Sequence, residues 1–505
     1  MNIRKIVILS RGLAGNIVAA HLAFSLQKTG IKICLLELAS KAESCEHWHE
    51  TYGASSLLPQ TQIQHELLQL DEKKILQATG GTFNLGINYQ QWNGSKASFI
   101  QPYENPGVNF QGIEFQHYFA KYSGIANLPG YDSFSLSAQA AHQNKFSHPN
   151  NDTRSILSTL SYGLNIGNKA YSNIYKTRCK QSGVDIIQTN HFIEARQDES
   201  GAIKELVVEN NVVDGDFFID CSGAASLLLG KTLSVKEIDW SHYFYSNKKI
   251  NFIAKHNNEL PSAIALTAKN THWERSIPLQ THSVNTLVFN DNHYREADAL
   301  SLASQKSADN NFLVAQPTKH GRKDKAWYKN VIAFGEAAAS FEPMSISAVD
   351  ILYRNIQDFL ALLPSDSDCT LNAAEYNRQT TEVYDTIRDY QLCHHTFTAM
   401  QPSDDLWENH ISQILPDKLK QRIDLFKTRG TVVSKDREMI PKSMWITLMI
   451  GLGAKADSYD PLVDSIDGVA DAYEKIQRMA DIISQTVKKM PPHYKYLERY
   501  LNKNL

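Results

Sequence analysis

Lys5-Ile-Val-Ile-Leu-Ser-Arg-Gly-Leu-Ala-Gly-Asn16 is the stretch whose reading decides the fold. Its first five residues form an apolar, β-rich run. Ser10 to Gly15 reads as a turn, and Asn16 to Lys28 has helical periodicity closed by Gly30. A second strand, Ile31 to Glu37, follows, giving a βαβ unit. The turn carries Ser10-x-Gly12-x-x-Gly15, a dinucleotide-loop spacing with serine where the first glycine belongs. Gly12 would let a pyrophosphate approach the backbone, Gly15 would let helix and strand pack closely, and the helix N-terminus would supply N–H groups. Glu37 would accept from a ribose hydroxyl, so Gly12, Ala14, Gly15 and Glu37 are candidate cofactor contacts. Ser10 is expected to strain the turn, and Arg11 either grips a phosphate or occupies its space. A nucleotide fold without nucleotide is the alternative.

Working outward, the apolar runs Asp216 to Ile219 and Asn330 to Phe334 complete a parallel sheet from distant pieces of chain, so the first domain is expected to be discontinuous. Its pieces are read as 1–83, 151–235 and 315–365. Between them, 84–150 and 236–314 are read as a substrate-side region, because residues 84 to 115 and 240 to 290 alternate apolar and polar positions and are rich in aromatics. A ligand cleft is expected between the two sheets. Past the polar Ser365–Asp368, residues 366–505 read as helical, starting with a capping-box-like Asn372-Ala-Ala-Glu375. The stripe Val469, Tyr473, Ile476, Ala480, Ile483 and Val487, ending before Pro491-Pro492, is read as a packing face. The fold class is therefore α/β, Rossmann-like, with an inserted β-sheet region and a helical C-terminal region.

Composition bounds the function. The 505 residues are 42% hydrophobic and 21% charged, which fits a globular enzyme-sized protein. A net charge of −3 gives no basic field for nucleic acid. The longest apolar run, Met444 to Gly453, is too short to span a bilayer, and Arg11 interrupts the N-terminal apolar stretch, so no membrane association or signal peptide is expected. Six cysteines without a CxxC pair fit a reducing cytoplasm. Cys45-Glu46-His47-Trp48-His49 and Cys393-His394-His395 lack a closed four-ligand set, and no metal site is expected.

Further motifs are Asp216-Phe-Phe-Ile-Asp-Cys-Ser-Gly223, His272-Trp-Glu-Arg-Ser-Ile-Pro-Leu279, Val331-Ile-Ala-Phe-Gly-Glu336, Phe341-Glu-Pro-Met-Ser-Ile-Ser-Ala348, Gly451-Leu-Gly453 and Tyr459-Asp-Pro461. In this order and at these separations the chain resembles the flavin-dependent tryptophan halogenases, from the first strand to about Asp464. That resemblance implies a flavin monooxygenase type of FAD-binding domain, and an enzyme that uses FADH2 from a separate flavin reductase, oxygen and chloride or bromide. Hypohalous acid would travel through an internal tunnel to a bound indole. The flavin would carry the oxygen chemistry and the protein would supply positioning and electrostatics.

The resemblance also locates departures. In the family a lysine handles the hypohalous acid and a glutamate assists attack and proton loss. Asn84, in Gly81-Thr-Phe-Asn84, stands at the lysine position, and Ser345, in Glu342-Pro-Met-Ser345, stands at the glutamate position. An amide cannot replace the amine, and a hydroxyl cannot replace the base. Gln101-Pro102-Tyr103 replaces a His-Pro-Phe-like substrate segment. In Trp273-Glu-Arg275-Ser-Ile-Pro278 one tryptophan survives, while Arg275 takes the place of the second. Arg275 is read as salt-bridged to a local carboxylate in preference to contacting an acidic substrate. Trp92, Tyr103 and Trp273 are read as pocket aromatics. Backbone N–H groups of Ser347, Ala348 and Val349 would keep a halide site, while Gly335 and Glu336 would flank the flavin phosphates or ribityl chain. No spacing argument brings Lys96, Glu274 or Glu342 to the tunnel.

Three readings follow. The leading one is an FADH2/O2-dependent oxidoreductase acting on an aromatic or indole-type substrate without the family's halogen relay. The second is a non-catalytic halogenase paralogue that binds a ligand or pairs with an active paralogue or a second copy of itself. A general flavin disulfide reductase or NAD-linked oxidoreductase is disfavoured by the missing CxxC and the single dinucleotide fingerprint.

Overall fold

The computed structural model describes residues 3–502 apart from 40–44, 93–97, 125–127, 210, 257–258, 311–312, 365–368, 398–414, 436–437 and 466–468. Lys96, the Ser365–Asp368 stretch and the side chains of residues 45–47 lie outside the described residues. In chain order the strands that matter here are β1 (Lys5–Ser10), β2 (Lys32–Leu38), β3 (Gly86–Gln90), β4 (Ser98–Pro102), β5 (Asp185–Thr189) and β6 (Phe217–Cys221). They continue as β7 (Lys248–Lys255), β8 (Ile264–Ala268), β9 (His272–Pro278), β10 (His282–Phe289), β11 (Trp327–Tyr328) and β12 (Val331–Ala333). The helices are α1 (Leu13–Ser25), α2 (Cys45–Tyr52), α3 (Asn168–Gln181), α4 (Glu296–Lys306), α5 (Ala348–Ala361), α6 (Thr370–Thr396), α7 (Lys442–Gly451) and α8 (Val469–Lys489).

The chain divides into two units. One comprises Met1–Gly81, Ile166–His242 and Gln316–Asp385, the other Thr82–Asn165, Tyr243–Ala315 and Thr386–Leu505. In the first, six strands run in the order β11-β12-β6-β1-β2-β5, parallel throughout except for β11. Ile6, Val7, Ile8 and Leu9 are wholly buried, as a strand covered on both faces requires. Helix α1 begins at Leu13 rather than Asn16, so the turn is shorter than the sequence reading gave it. Ser10 continues β1 instead of straining the turn. Its Oγ accepts the Gly12 N–H at 3.0 Å and donates to the Gly12 carbonyl at 3.2 Å.

In the second unit six strands of a seven-stranded sheet line up as β7-β10-β9-β8-β3-β4, antiparallel except for the β8–β3 pair. Side chains alternate across this sheet. On one face Ile250, Phe252, Leu287 and Phe289 pack with Ala299 and Ala303 of α4. The other face carries Tyr89, Leu266, Trp273 and Arg275. Helix α8 buries Ile476, Ile483 and Val487 along one face, as its stripe requires. The expected capping box at Asn372 is absent because α6 already begins at Thr370. Asn372 instead donates to the Leu362 carbonyl at 3.0 Å, and Glu375 pairs with Arg378. Among the described residues no helix is long and apolar enough to cross a membrane.

Phe83 anchors an aromatic cluster in the second unit. Its ring is fully buried and stacks on Phe146 at 4.1 Å and 1°, with Tyr162 and Tyr500 edge-on at 5.6 Å. Phe83→Ala and Phe146→Ala are each expected to cost about 3–5 kcal/mol in urea unfolding, and the double variant less than their sum.

Candidate functional site

The first unit gathers the glycine turn. Gly12 has φ +130, a conformation for glycine, and a Cβ there would lie 1.9 Å from Glu50 Oε1. The Glu50 carboxylate, on α2, therefore sits against the backbone where a pyrophosphate would approach. A Cβ on Gly15 would meet the Ser10 Oγ at 2.1 Å, so the serine that replaces the first glycine makes Gly15 obligatory. Glu37 closes β2 and is held by Lys176 at 2.5 Å and Gln188 at 3.1 Å. Gly335 lies beside Ala14 at the start of α1, with a Cβ position 3.8 Å from the Ala14 Cβ, while Glu336 is exposed. The glycine backbone, the α1 N-terminus and Glu37 fit a dinucleotide such as FAD. The Glu50 carboxylate opposes it.

The α5 N-terminus is built by Ser347. As N-cap, its Oγ accepts the Asp350 N–H at 3.1 Å and donates to Asp350 Oδ2 at 2.7 Å. The Ala348 and Val349 N–H groups have no intrahelical partner. Asp350 also accepts from the Leu58 N–H at 3.1 Å and the Thr61 hydroxyl at 2.7 Å. Ser345 is 4% exposed, and its Oγ has no partner among the described residues. Glu342 is buried.

In the second unit Asn84 is fully buried and fully engaged. Its Nδ2 donates to the Tyr103 hydroxyl at 2.7 Å, and its Oδ1 accepts the N–H groups of Gly86 at 3.3 Å and Ile264 at 3.2 Å. Gln101 is similarly saturated, donating to the Tyr390 hydroxyl at 2.7 Å and the Met444 carbonyl at 2.6 Å while accepting from Tyr89. Pro102 pairs across from Gly86. Trp92 and Trp273 lie 6.3 Å apart, with His394 and His395 about Trp92 at 6.1 and 5.8 Å. Arg275 does not form the salt bridge expected of it. Glu274, its neighbour in sequence, points to the opposite face, where Lys306 and His272 hold it. Among the described residues no group of three His, Cys, Asp or Glu side chains could hold a metal.

Some functional candidates escaped sequence reasoning. Glu50 reaches Gly12 only through the placement of α2. A second is the buried network in which His65 Nε2 meets the Tyr171 hydroxyl at 2.6 Å, and the Tyr353 hydroxyl meets those of Tyr171 at 2.5 Å and Tyr175 at 2.6 Å. Burial lowers His65 to about 4, so it is neutral at physiological pH. The helical spacing of Tyr171 and Tyr175 signalled a shared face, but nothing local pointed to Tyr353.

Burial raises Asp350 to about 6 against its hydrogen bonds. A folded-state value above the unfolded one contributes stability that is full below about pH 4 and is lost as pH rises through about 6. Asp350→Asn is expected to remove that loss, on the order of 1–3 kcal/mol, from urea unfolding measured between pH 4 and 7.

Comparison with known proteins places these arrangements. A family model described as tryptophan halogenase matches residues 5–468. The tryptophan 6-halogenase ThaL of Streptomyces albogriseolus is 22% identical over 452 residues, covering 84% of this chain and 82% of that protein. Among solved structures, BrvH, a flavin-dependent halogenase from Brevundimonas sp. BAL3, superposes with TM-score 0.92 at 25% identity, covering 99% of both chains. Xcc4156, a flavin-dependent halogenase from Xanthomonas campestris, gives 0.91 at 25% identity with the same coverage. The α/β frame is that of these structures, and the chain belongs to the tryptophan halogenase family.

Proposed function

We propose that this chain is a flavin-dependent oxidoreductase that acts with reduced FAD and oxygen on an aromatic or indole-type substrate, without the halogen relay of its family. Its flavin would come from a separate reductase. The observation that carries this reading is the contrast between a glycine turn that fits a dinucleotide and an Asn84 whose amide is held by Tyr103, Gly86 and Ile264. Bound flavin would supply the oxygen chemistry. Gly12, Ala14, Gly15 and the α1 N-terminus would receive its pyrophosphate, Glu37 a ribose hydroxyl, and Gly335 and Glu336 would flank its polar chain. Ala348 and Val349, following the Ser347 cap, keep N–H groups able to hold a halide or another small anion.

At the position that the family resemblance gives to the relay lysine, Asn84 ties Tyr103, Gly86 and Ile264 together and carries no amine. Ser345 offers a buried hydroxyl and no base. Trp92 and Trp273 are buried against each other, their rings tilted by 51°. A non-catalytic paralogue is the second reading, favoured by the Glu50 carboxylate against Gly12.

Anaerobic titration with oxidised and reduced FAD separates the two. Saturable binding is expected, tightened about five- to tenfold by Glu50→Gln as a like charge worth ~1 kcal/mol is removed. Binding of neither form, by wild type or variant, favours the non-catalytic reading. Asn84→Lys is expected to give no chlorinated or brominated indole by mass spectrometry. It should also cost about 1–3 kcal/mol of stability, because the Gly86 and Ile264 N–H groups lose their acceptor.

A further inference from the structure

Four helices of the first unit bring three phenols and two imidazoles together in a sealed cluster. Tyr171 and Tyr175 lie one turn apart on α3, Tyr353 on α5, His65 on the helix Thr61–Leu67 and His21 on α1. All five residues are at most 4% exposed. Among the described residues the three hydroxyls bond only to one another and to His65 Nε2, so they cap no helix and satisfy no main-chain group. Phenylalanine would fill the same space without burying a hydroxyl, and a self-contained polar network contributes little net stability. The hydroxyls therefore call for a use other than packing.

Counting donors gives the network a direction, since each hydroxyl carries one proton. With Tyr171 donating to His65 Nε2 at 2.6 Å, Tyr353 donates to the Tyr171 oxygen at 2.5 Å and Tyr175 to the Tyr353 oxygen at 2.6 Å, so all three protons lie in short bonds. The opposite sense leaves the Tyr175 proton only the long 3.3 Å contact to Tyr171. Burial lowers His65 to about 4, which keeps its Nε2 lone pair available at neutral pH. Burial also raises Tyr175 to about 12 and holds Tyr171 and Tyr353 well above the usual phenol range. His21 packs against the Tyr175 and Tyr353 rings at 6.1 and 5.4 Å, and its Nε2 is sealed with no partner among the described residues. A phenol that cannot ionise, yet donates to a neutral base, is arranged to lose an electron and a proton together.

The cluster also has a telling position. His21 lies about 12 Å along α1 from Leu13, the end that would receive a flavin pyrophosphate, which leaves the phenols within reach of electron tunnelling through packed protein. We propose that Tyr171 is a redox-active tyrosine, which gives one electron to an oxidant and its hydroxyl proton to His65 Nε2. The O–H bond of Tyr171 breaks and an N–H bond forms on His65, leaving a neutral phenoxyl radical and an imidazolium; reduction reverses both transfers. The Tyr353 hydroxyl, donating to the Tyr171 oxygen, stays in place throughout. The oxidant is a one-electron acceptor, and only its natural source, the flavin–oxygen chemistry, rests on the function proposed above. An oxidising equivalent that escapes that chemistry is then held at Tyr171 instead of attacking the frame.

The test uses the full chain without flavin. Ruthenium(III) tris-bipyridine, generated by a light flash with a cobalt(III) ammine as electron acceptor, supplies the oxidant, and freeze-trapped samples are read by electron paramagnetic resonance. A tyrosyl radical that outlives those of exposed tyrosines is expected, identified by the narrowing of its spectrum when the chain is made with ring-deuterated tyrosine. Tyr171→Phe should abolish it. His65→Gln should abolish it as well, because the amide still accepts the hydroxyl but takes no proton. The thermal midpoint and circular dichroism of that variant should stay close to wild type, whereas a merely structural network would move the midpoint and leave the radical. Tyr494→Phe, at an exposed position, should leave the signal unchanged. A folded wild type without the persistent radical, or a signal that survives in Tyr171→Phe or in His65→Gln, overturns the proposal. If the radical forms and no flavin binds, only the flavin reading falls; if flavin binds and no radical forms, only this one does.

Discussion

Burial obliges each polar group to find a partner, and the groups that meet or fail that demand divide this protein into frame and site. Gln101 has its hydrogen-bonding capacity filled by the chain itself, and Asn84 is held by Tyr103, Gly86 and Ile264. Asp220 shows the same behaviour in the first unit. Its carboxylate accepts the Ser222, Leu228 and Leu229 N–H groups and the Ser222 hydroxyl, so that motif segment shapes a turn. Arg275, Trp273 and Ser345 retain polar atoms without partners among the described residues. A fold that tolerates such groups gains nothing from them in stability, which directs attention to ligands.

The glycine turn follows the same logic at the backbone. Ser10 spends its hydroxyl on Gly12 and its Cβ on the space beside Gly15, so the departure from a three-glycine fingerprint is absorbed within the turn. The resulting cradle keeps the shape for a dinucleotide while Glu50 places a carboxylate at its mouth. Shape and charge thus pull in opposite directions at one locus. A single neutralising substitution separates their contributions.

Much of the frame was legible in the sequence because it rests on local pattern. The strand–turn–helix at Lys5 to Ser25, the distant strands that complete its sheet and the packing stripe of α8 all follow from periodicity and apolar runs. The helix starts at Leu13 and Thr370 differ from those expected. The surroundings of Arg275 were not legible, since alternation places the adjacent Glu274 on the other face and only cross-strand register shows what lies beside the arginine. Glu50 against Gly12 and Tyr353 against Tyr171 were hidden for a related reason: both depend on how helices far apart in sequence pack together. Asn84 and Ser345 were visible as residues; that Asn84 bonds to Tyr103, Gly86 and Ile264 was not.

The most direct measurement supplies the protein with reduced FAD from a reductase, NADH, bromide, catalase and an indole substrate under ¹⁸O2, and reads the product by mass spectrometry. The account predicts a product carrying ¹⁸O and no bromine isotope pair, because the oxygen chemistry is kept and the relay groups are gone. A brominated product without ¹⁸O would contradict it, showing that Asn84 and Ser345 do not prevent halogen transfer.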